Sequence, residues 1–254
     1  WKLGEISNPG AHSIGLIEID GAISFSAEGM FQKQSIAEKI ISDLDFFKKS
    51  DVKVVILRVN SPGGSIGAVQ EICDAMVRFR ENDKKIVASF KDISASGGYY
   101  VSCFADKIIA NPGTLTGSIG VIMTLPNFAG LFDKLGINYT VVKSGKYKDI
   151  GNLGREMTTD EKELLQSSVD DSFQQFVDAV VSGRKLEREN VLEIADGRLF
   201  TGRQAKQAGL VDELGGFQKA VEVAKKLADI KGRHNIVRPG VKNNLMELLN
   251  ELSY

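Results

Sequence analysis

The run Lys53-Val54-Val55-Ile56-Leu57-Arg58-Val59 constrains this chain more than any other stretch. It is β-branched, largely apolar and short, which is the pattern of a strand buried on both faces. The segments around it alternate between strand and helix patterns. Ser13 to Asp20 (SIGLIEID) reads as the first buried strand and ends at a Gly21 turn. Ser35 to Lys49 carries Ile36, Ile40, Ile41, Leu44 and Phe47 at helical spacing. A second helical pattern runs from Ile66 to Phe79, followed by strands at Ile86 to Phe90 and Lys107 to Ala110. Asn111 to Gly120 reads as a turn-rich link, Asn127 to Leu135 as a short helix and Tyr139 to Val142 as a strand. This alternation predicts βαβ units and a mainly parallel sheet.

Past Gly145 the composition turns helical. Thr158 to Val181 predicts one long amphipathic helix closing before Gly183, and Arg188 to Ile194, Gly202 to Gln207 and Phe217 to Leu227 predict three more. Gly29 to Gln34 reads as a polar loop, and Asn244 to Leu252 as a short amphipathic tail after Pro239-Gly240. No internal repeat or low-complexity linker divides the chain. The expectation is one domain over residues 1–254: an α/β core at 13–145, a helical part at 146–230 and a tail at 231–254.

Composition narrows the function classes. With 43% hydrophobic and 26% charged residues the chain matches a soluble globular protein, and a net charge of −1 leaves no footprint for nucleic acid. Cys73 and Cys103 build neither a metal site nor a disulfide framework and read as buried free thiols. There is no zinc-ligand spacing and no phosphate-binding loop, so no metal or cofactor is expected. No stretch reaches the run of about eighteen apolar residues that a membrane span needs. The chain opens at Trp1 with no basic or apolar leader, which says nothing of an anchor in the natural protein.

Two turns stand out. Ser94-Ala95-Ser96-Gly97-Gly98-Tyr99-Tyr100 follows a strand and opens a helix, so Ser96 can be a simple helix cap or a serine beside free backbone N–H groups. Asn60-Ser61-Pro62-Gly63-Gly64 lies between another strand and helix, and its glycines can turn N–H groups outward. Either turn alone reads as ordinary punctuation. Two such turns at the C-terminal ends of parallel strands mark the edge where open α/β sheets bind ligands. Histidine is the usual base for serine, but His12 and His234 lie at the two ends of the chain, near no such turn. That leaves a lysine with a pKa lowered by burial. Lys143-Ser144-Gly145-Lys146-Tyr147-Lys148-Asp149 follows the expected strand at Tyr139 to Val142, and spacing alone does not separate Lys146 from Lys148.

Asn60 to Gly64, Ser94 to Tyr100, Thr114-Leu-Thr-Gly-Ser-Ile-Gly120 and Lys143 to Asp149 together resemble the signal peptide peptidase A family. Ala195-Asp-Gly-Arg198, Thr201-Gly-Arg203 and Leu210-Val-Asp-Glu213 extend the resemblance over residues 13–230, at the length of the form with one catalytic unit. It implies a crotonase- and Clp-protease-like fold with a repeated ββα core. It also implies a Ser/Lys peptidase acting on remnant signal peptides and other apolar peptides at the membrane. By the resemblance Ser96 is the nucleophile, Lys148 the general base and Ser118 the serine bonded to the lysine amine. Gly97 and a glycine of the other turn, Gly64 before Gly63, supply the oxyanion hole. The family resemblance further implies a homo-oligomeric ring with the dyad shared between subunits, and an N-terminal membrane anchor absent from this sequence that holds the catalytic domain outside the cytoplasm. An acyl-CoA hydratase or isomerase on the same fold, and a non-catalytic membrane scaffold, are the competing readings; the first would need a carboxylate at the chemistry and leaves Ser96 and Lys148 without a role, and an intact serine and lysine, each in its motif, argue against the second.

Overall fold

The computed structural model describes residue 10, residues 12–26 and residues 34–239. The expected loop from Gly29 and the tail from Asn244 lie outside the described residues. In chain order the elements are β1 (Ser13–Asp20), α1 (Ile36–Lys48), β2 (Val54–Ser61), α2 (Ile66–Arg80), β3 (Lys85–Ala95) and α3 (Gly97–Ser102). There follow β4 (Lys107–Ala110), β5 (Leu115–Gly117), α4 (Ala129–Leu135), α5 (Thr159–Arg184) and α6 (Arg188–Ile194). The chain closes with β6 (Leu199–Thr201), α7 (Gly202–Gln207), β7 (Glu213–Leu214), α8 (Phe217–Leu227) and β8 (Asn235–Val237).

The strands form one sheet in the order β6-β5-β3-β2-β1-β8, with β4 branching from β3 and β7 pairing with β4. Every pairing is parallel except β5 with β6. Val54, Val55, Ile56 and Leu57 of β2 are all fully buried, as their sequence requires. One face of the sheet packs Ile14, Leu16, Val54, Ile56 and Val87 against Ala220, Val221 and Ala224 of α8. On the other face Phe47 of α1 lies over Gly15, where a Cβ would come within 3.0 Å of the ring. Each buried aliphatic side chain of β2 contributes about 1.5–3 kcal/mol, so the double-sided cover is what holds this run in place. Helix α1 starts in a capping box in which Ser35 and Glu38 satisfy each other's backbone N–H groups.

The chain divides into two compact units, the first of residues 1–119 and 177–254, the second of residues 120–176. The whole sheet lies in the first. Strand β3 is longer than the apolar run suggests, because its two halves have different partners. Val87 to Ser89 pair with β4, and Ile93 to Ala95 with β5, which occupies part of the expected link at Asn111 to Gly120. Tyr139 to Val142, expected as a strand, is irregular, and Val142 is 95% exposed. A β-branched run becomes a strand only where a partner completes its ladder, and the second unit contains no strand among its described residues. Helix α5 also runs past Gly183 to Arg184. That glycine is a contact point and not a stop: a Cβ there would lie 2.3 Å from the Cys103 carbonyl oxygen.

The Leu210-Val-Asp-Glu213 motif has a structural explanation. The Asp212 carboxylate accepts from the Ile108 N–H at 2.8 Å, from Lys107 Nζ at 3.0 Å and from Arg184 at 2.9 Å, tying β4 to the end of α5. Burial pushes this carboxyl up, but Arg184 and the two other donors outweigh it and hold it below its ordinary value of 3.8. A depressed folded-state pKa contributes stability that is present above 3.8 and is lost as pH falls through the folded-state value. Asp212→Ala leaves Arg184 without its partner and should cost about 3 kcal/mol. Urea unfolding should show that loss at neutral pH and a smaller gap between variant and wild type in acid.

Candidate active site

Ser96 follows β3 directly and precedes α3, with φ 51° and ψ −123°. A non-glycine residue in this region costs on the order of 1–3 kcal/mol and persists only where its surroundings hold it. Two hydrogen bonds do so: the Ser96 N–H donates to the Gly117 carbonyl at 2.9 Å, and the Ser96 carbonyl accepts from the Tyr100 N–H at 2.9 Å. The resulting sharp strand-to-helix turn leaves Ser96 half-buried, whereas Ser94, the other serine of the motif, is fully buried. A sharp turn of this kind is how α/β enzymes present a serine hydroxyl at the top of a sheet.

The Pro62-Gly63-Gly64 turn lies against Ser96. Gly63 has φ 121°, and a Cβ on it would lie 2.9 Å from both Gly97 N and Ser96 Cβ, and 3.1 Å from Ser96 Oγ. A Cβ on Gly97 would lie 3.0 Å from Gly64 N. The two turns therefore meet backbone to backbone, and only glycine fits. Gly64 is paired with Ile23 in a parallel bridge, in which the Ile23 N–H donates to Gly63 O at 2.8 Å and the Ser65 N–H to Ile23 O at 2.9 Å. Those bonds use the groups flanking Gly64, so its own N–H faces away from Ile23. Among the described residues neither the Gly64 nor the Gly97 N–H donates a hydrogen bond.

Ser118 stands on the neighbouring strand end at the same level, one residue past the carbonyl that receives the Ser96 N–H, and has φ 49°. Its N–H donates to the Arg198 carbonyl at 2.8 Å. Arg198 is held by Asp196, so the Ala195-Asp-Gly-Arg198 motif supports the loop that carries Ser118. Ser96, Ser118, Gly63, Gly64 and Gly97 are thus brought together in the first unit.

His12 and His234 are not. They precede β1 and β8, which pair at their N-terminal ends, while Ser96 is at the C-terminal end of β3. An eight-residue strand spans roughly 25 Å, which puts both histidines at the far edge of the sheet. The thiols are buried as expected. Burial pushes the Cys103 thiol up to about 12 and raises Cys73 well above its ordinary value, so both stay protonated and unreactive.

Lys148 belongs to the second unit, in a turn where its N–H donates to the Gly145 carbonyl at 3.2 Å. Since Tyr139 to Val142 is not a strand, this segment does not begin at a buried strand end as expected. Its charged neighbours are all paired. Lys143 donates to Asp149 at 2.5 Å, Arg155 bridges Asp149 and Glu161, and Lys146 donates to Asp160 at 2.5 Å. The Asp160 carboxylate raises the Lys146 amine above its ordinary value, which keeps it protonated. The exposed Lys148 has no side-chain partner among the described residues. Spacing alone does not distinguish these two lysines; they differ in that Lys146 is paired with a carboxylate.

Comparison with known proteins identifies the family. Residues 78–231 match peptidase family S49, and residues 24–107 match the Clp protease family, in keeping with the crotonase- and Clp-like fold. The chain is 41% identical over 217 residues to a presumed protease of Synechocystis sp., covering 85% of this chain and 75% of that one. It is 42% identical over 175 residues to a presumed signal peptide peptidase of Enterococcus faecium, covering 69% and 51% of the two chains. It is 34% identical over 234 residues to a chloroplastic serine protease of Arabidopsis thaliana, covering 91% of this chain and 34% of that one. The chain belongs to peptidase family S49, the signal peptide peptidase A family of serine proteases.

Proposed function

We propose that the chain is an endopeptidase with a Ser96–Lys148 dyad, acting on remnant signal peptides and other apolar peptides at a membrane surface. The observation that carries this reading is the strained Ser96 turn packed against the Gly63-Gly64 backbone, with two N–H groups uncommitted beside it. In the proposed reaction Ser96 Oγ attacks the scissile carbonyl carbon and its proton passes to the neutral Lys148 amine. The Gly64 and Gly97 N–H groups hold the oxyanion. Collapse breaks the C–N bond, Lys148 returns the proton to the leaving amine, and water activated by Lys148 hydrolyses the acyl-enzyme. Ser118 is suited to orienting the amine, since it stands beside Ser96 on the next strand end.

A working lysine base must lose its proton near neutral pH, and burial is the chief means of achieving that. Lys148 is exposed in the single chain, so this reading includes a homo-oligomeric ring in which a neighbouring subunit covers it. Exposed apolar side chains of the second unit, Ile122, Leu135 and Val142 among them, give such a contact its surface. No helix among the described residues is long and apolar enough to cross a membrane. The proposed membrane attachment, through an N-terminal anchor with the catalytic domain outside the cytoplasm, rests on family membership. A hydratase or isomerase could use the same amide pair but has no need of a strained serine.

A fluorophosphonate probe tests the reading, because only an activated serine reacts. Peptide mapping should find the label on Ser96. A label on any other serine, or none on folded protein, would overturn the proposal.

A further inference from the structure

We infer that Ser61 is a positioning residue for hydrolysis, its hydroxyl fixing the Gly63–Gly64 peptide so that the Gly64 N–H faces Ser96; this rests on the reading of Ser96 and Gly64 above. A peptide between two glycines meets no side-chain obstacle to rotation, so something else must set its direction. A planar trans peptide points its C=O and N–H to opposite sides. Whatever holds the Gly63 carbonyl therefore also aims the Gly64 N–H. Two groups hold that carbonyl: the Ile23 N–H at 2.8 Å and the Ser61 hydroxyl at 3.2 Å. Ser61 Oγ also accepts from the Gly63 N–H at 3.2 Å, so a single side chain restrains Gly63 from both of its peptides.

Ser61 is well supported for this task. It ends β2, is fully buried, and pairs with Ser94 of β3 past a register shift. A Cβ on Gly98 would lie 2.9 Å from the Ser61 carbonyl oxygen and 3.3 Å from its Cβ. The residue is thus wedged between the glycine turn and the helix that opens beside Ser96. No step of the proposed reaction uses its hydroxyl directly.

Full-length wild type, Ser61→Ala and Ser61→Cys should be compared with one apolar fluorogenic peptide, the peptide aldehyde of the same sequence and the corresponding alcohol. The aldehyde forms a hemiacetal oxyanion on the serine, whereas the alcohol reports ground-state binding alone. Removing an oxyanion donor outright costs about 10²–10³-fold in kcat, so a donor left present but poorly aimed should cost roughly 10-fold or more. In Ser61→Ala, kcat and aldehyde affinity should fall together. KM, alcohol affinity and the midpoint of the pH profile should hold to within about twofold, since the base is untouched. Ser61→Cys, with a similar shape and a weaker donor, should fall in between. Unchanged kcat and aldehyde affinity in both variants would overturn the inference, as would losses shared equally by aldehyde and alcohol. Wild-type protein that a fluorophosphonate does not label on Ser96 would remove the underlying reading instead.

Discussion

Ser96→Ala should abolish peptide hydrolysis, by roughly a millionfold in kcat if the serine works in concert with its base as in other serine peptidases. The protein should still fold, because the substitution removes one half-buried hydroxyl and leaves both backbone bonds of Ser96 intact. A second variant sharpens the test. Serine at φ 51° is strained and glycine there is not, so Ser96→Gly should be equally inactive yet more stable by about 1 kcal/mol. An inactive, stabilised protein is the signature of a residue kept for chemistry at a cost in stability. Urea unfolding and hydrolysis of an apolar fluorogenic peptide measure the two effects. Hydrolysis surviving in purified Ser96→Ala protein would sink the assignment, and a destabilised glycine variant would refute the claim of strain.

Much of this site is legible in the sequence because its elements are local. The apolar run at Val54 to Leu57 requires cover on both faces, and a glycine pair after such a strand is a turn whatever surrounds it. The positions of Ser96 and Gly63-Gly64 follow from that order alone. What sequence does not carry is pairing between distant segments. Strand β5 is three residues long and exists because β3 continues past its apolar half to meet it. Tyr139 to Val142 has the composition of a strand and lacks a partner, so it forms none. Lys84 is another case: one charged residue among several in Glu81-Asn-Asp-Lys-Lys85, it is buried and donates from Nζ to the carbonyls of Phe47, Ser50 and Val52, pinning the end of α1 to the entry of β2. Ser61 looks like one more turn residue until its hydroxyl is seen on both sides of Gly63. Lys146 and Lys148 are equivalent in spacing; the family motif favours Lys148, and in the structure Lys146 is the one paired with a carboxylate, Asp160.

That difference leads to the strongest test of the proposed dyad. Lys148→Arg should be inactive, because a guanidinium does not give up its proton at working pH. Lys146→Arg should stay active, since Lys146 is already paired and protonated. The exposure of Lys148 in the single chain makes its cover in the working enzyme the decisive question. If Ser96 of one subunit meets Lys148 of the next, two dead proteins can repair each other. Ser96→Ala and Lys148→Ala chains, unfolded, mixed in equal amounts and refolded together, pair at random around a head-to-tail ring. A given boundary needs an intact Ser96 on one side and an intact Lys148 on the other. Each is present about half the time, so roughly a quarter of wild-type activity should return. If one chain supplies both residues, the mixture stays as inactive as its parents. Mass spectrometry of the intact oligomers establishes that the chains have mixed, and an inactive population of mixed rings would rule out the shared dyad.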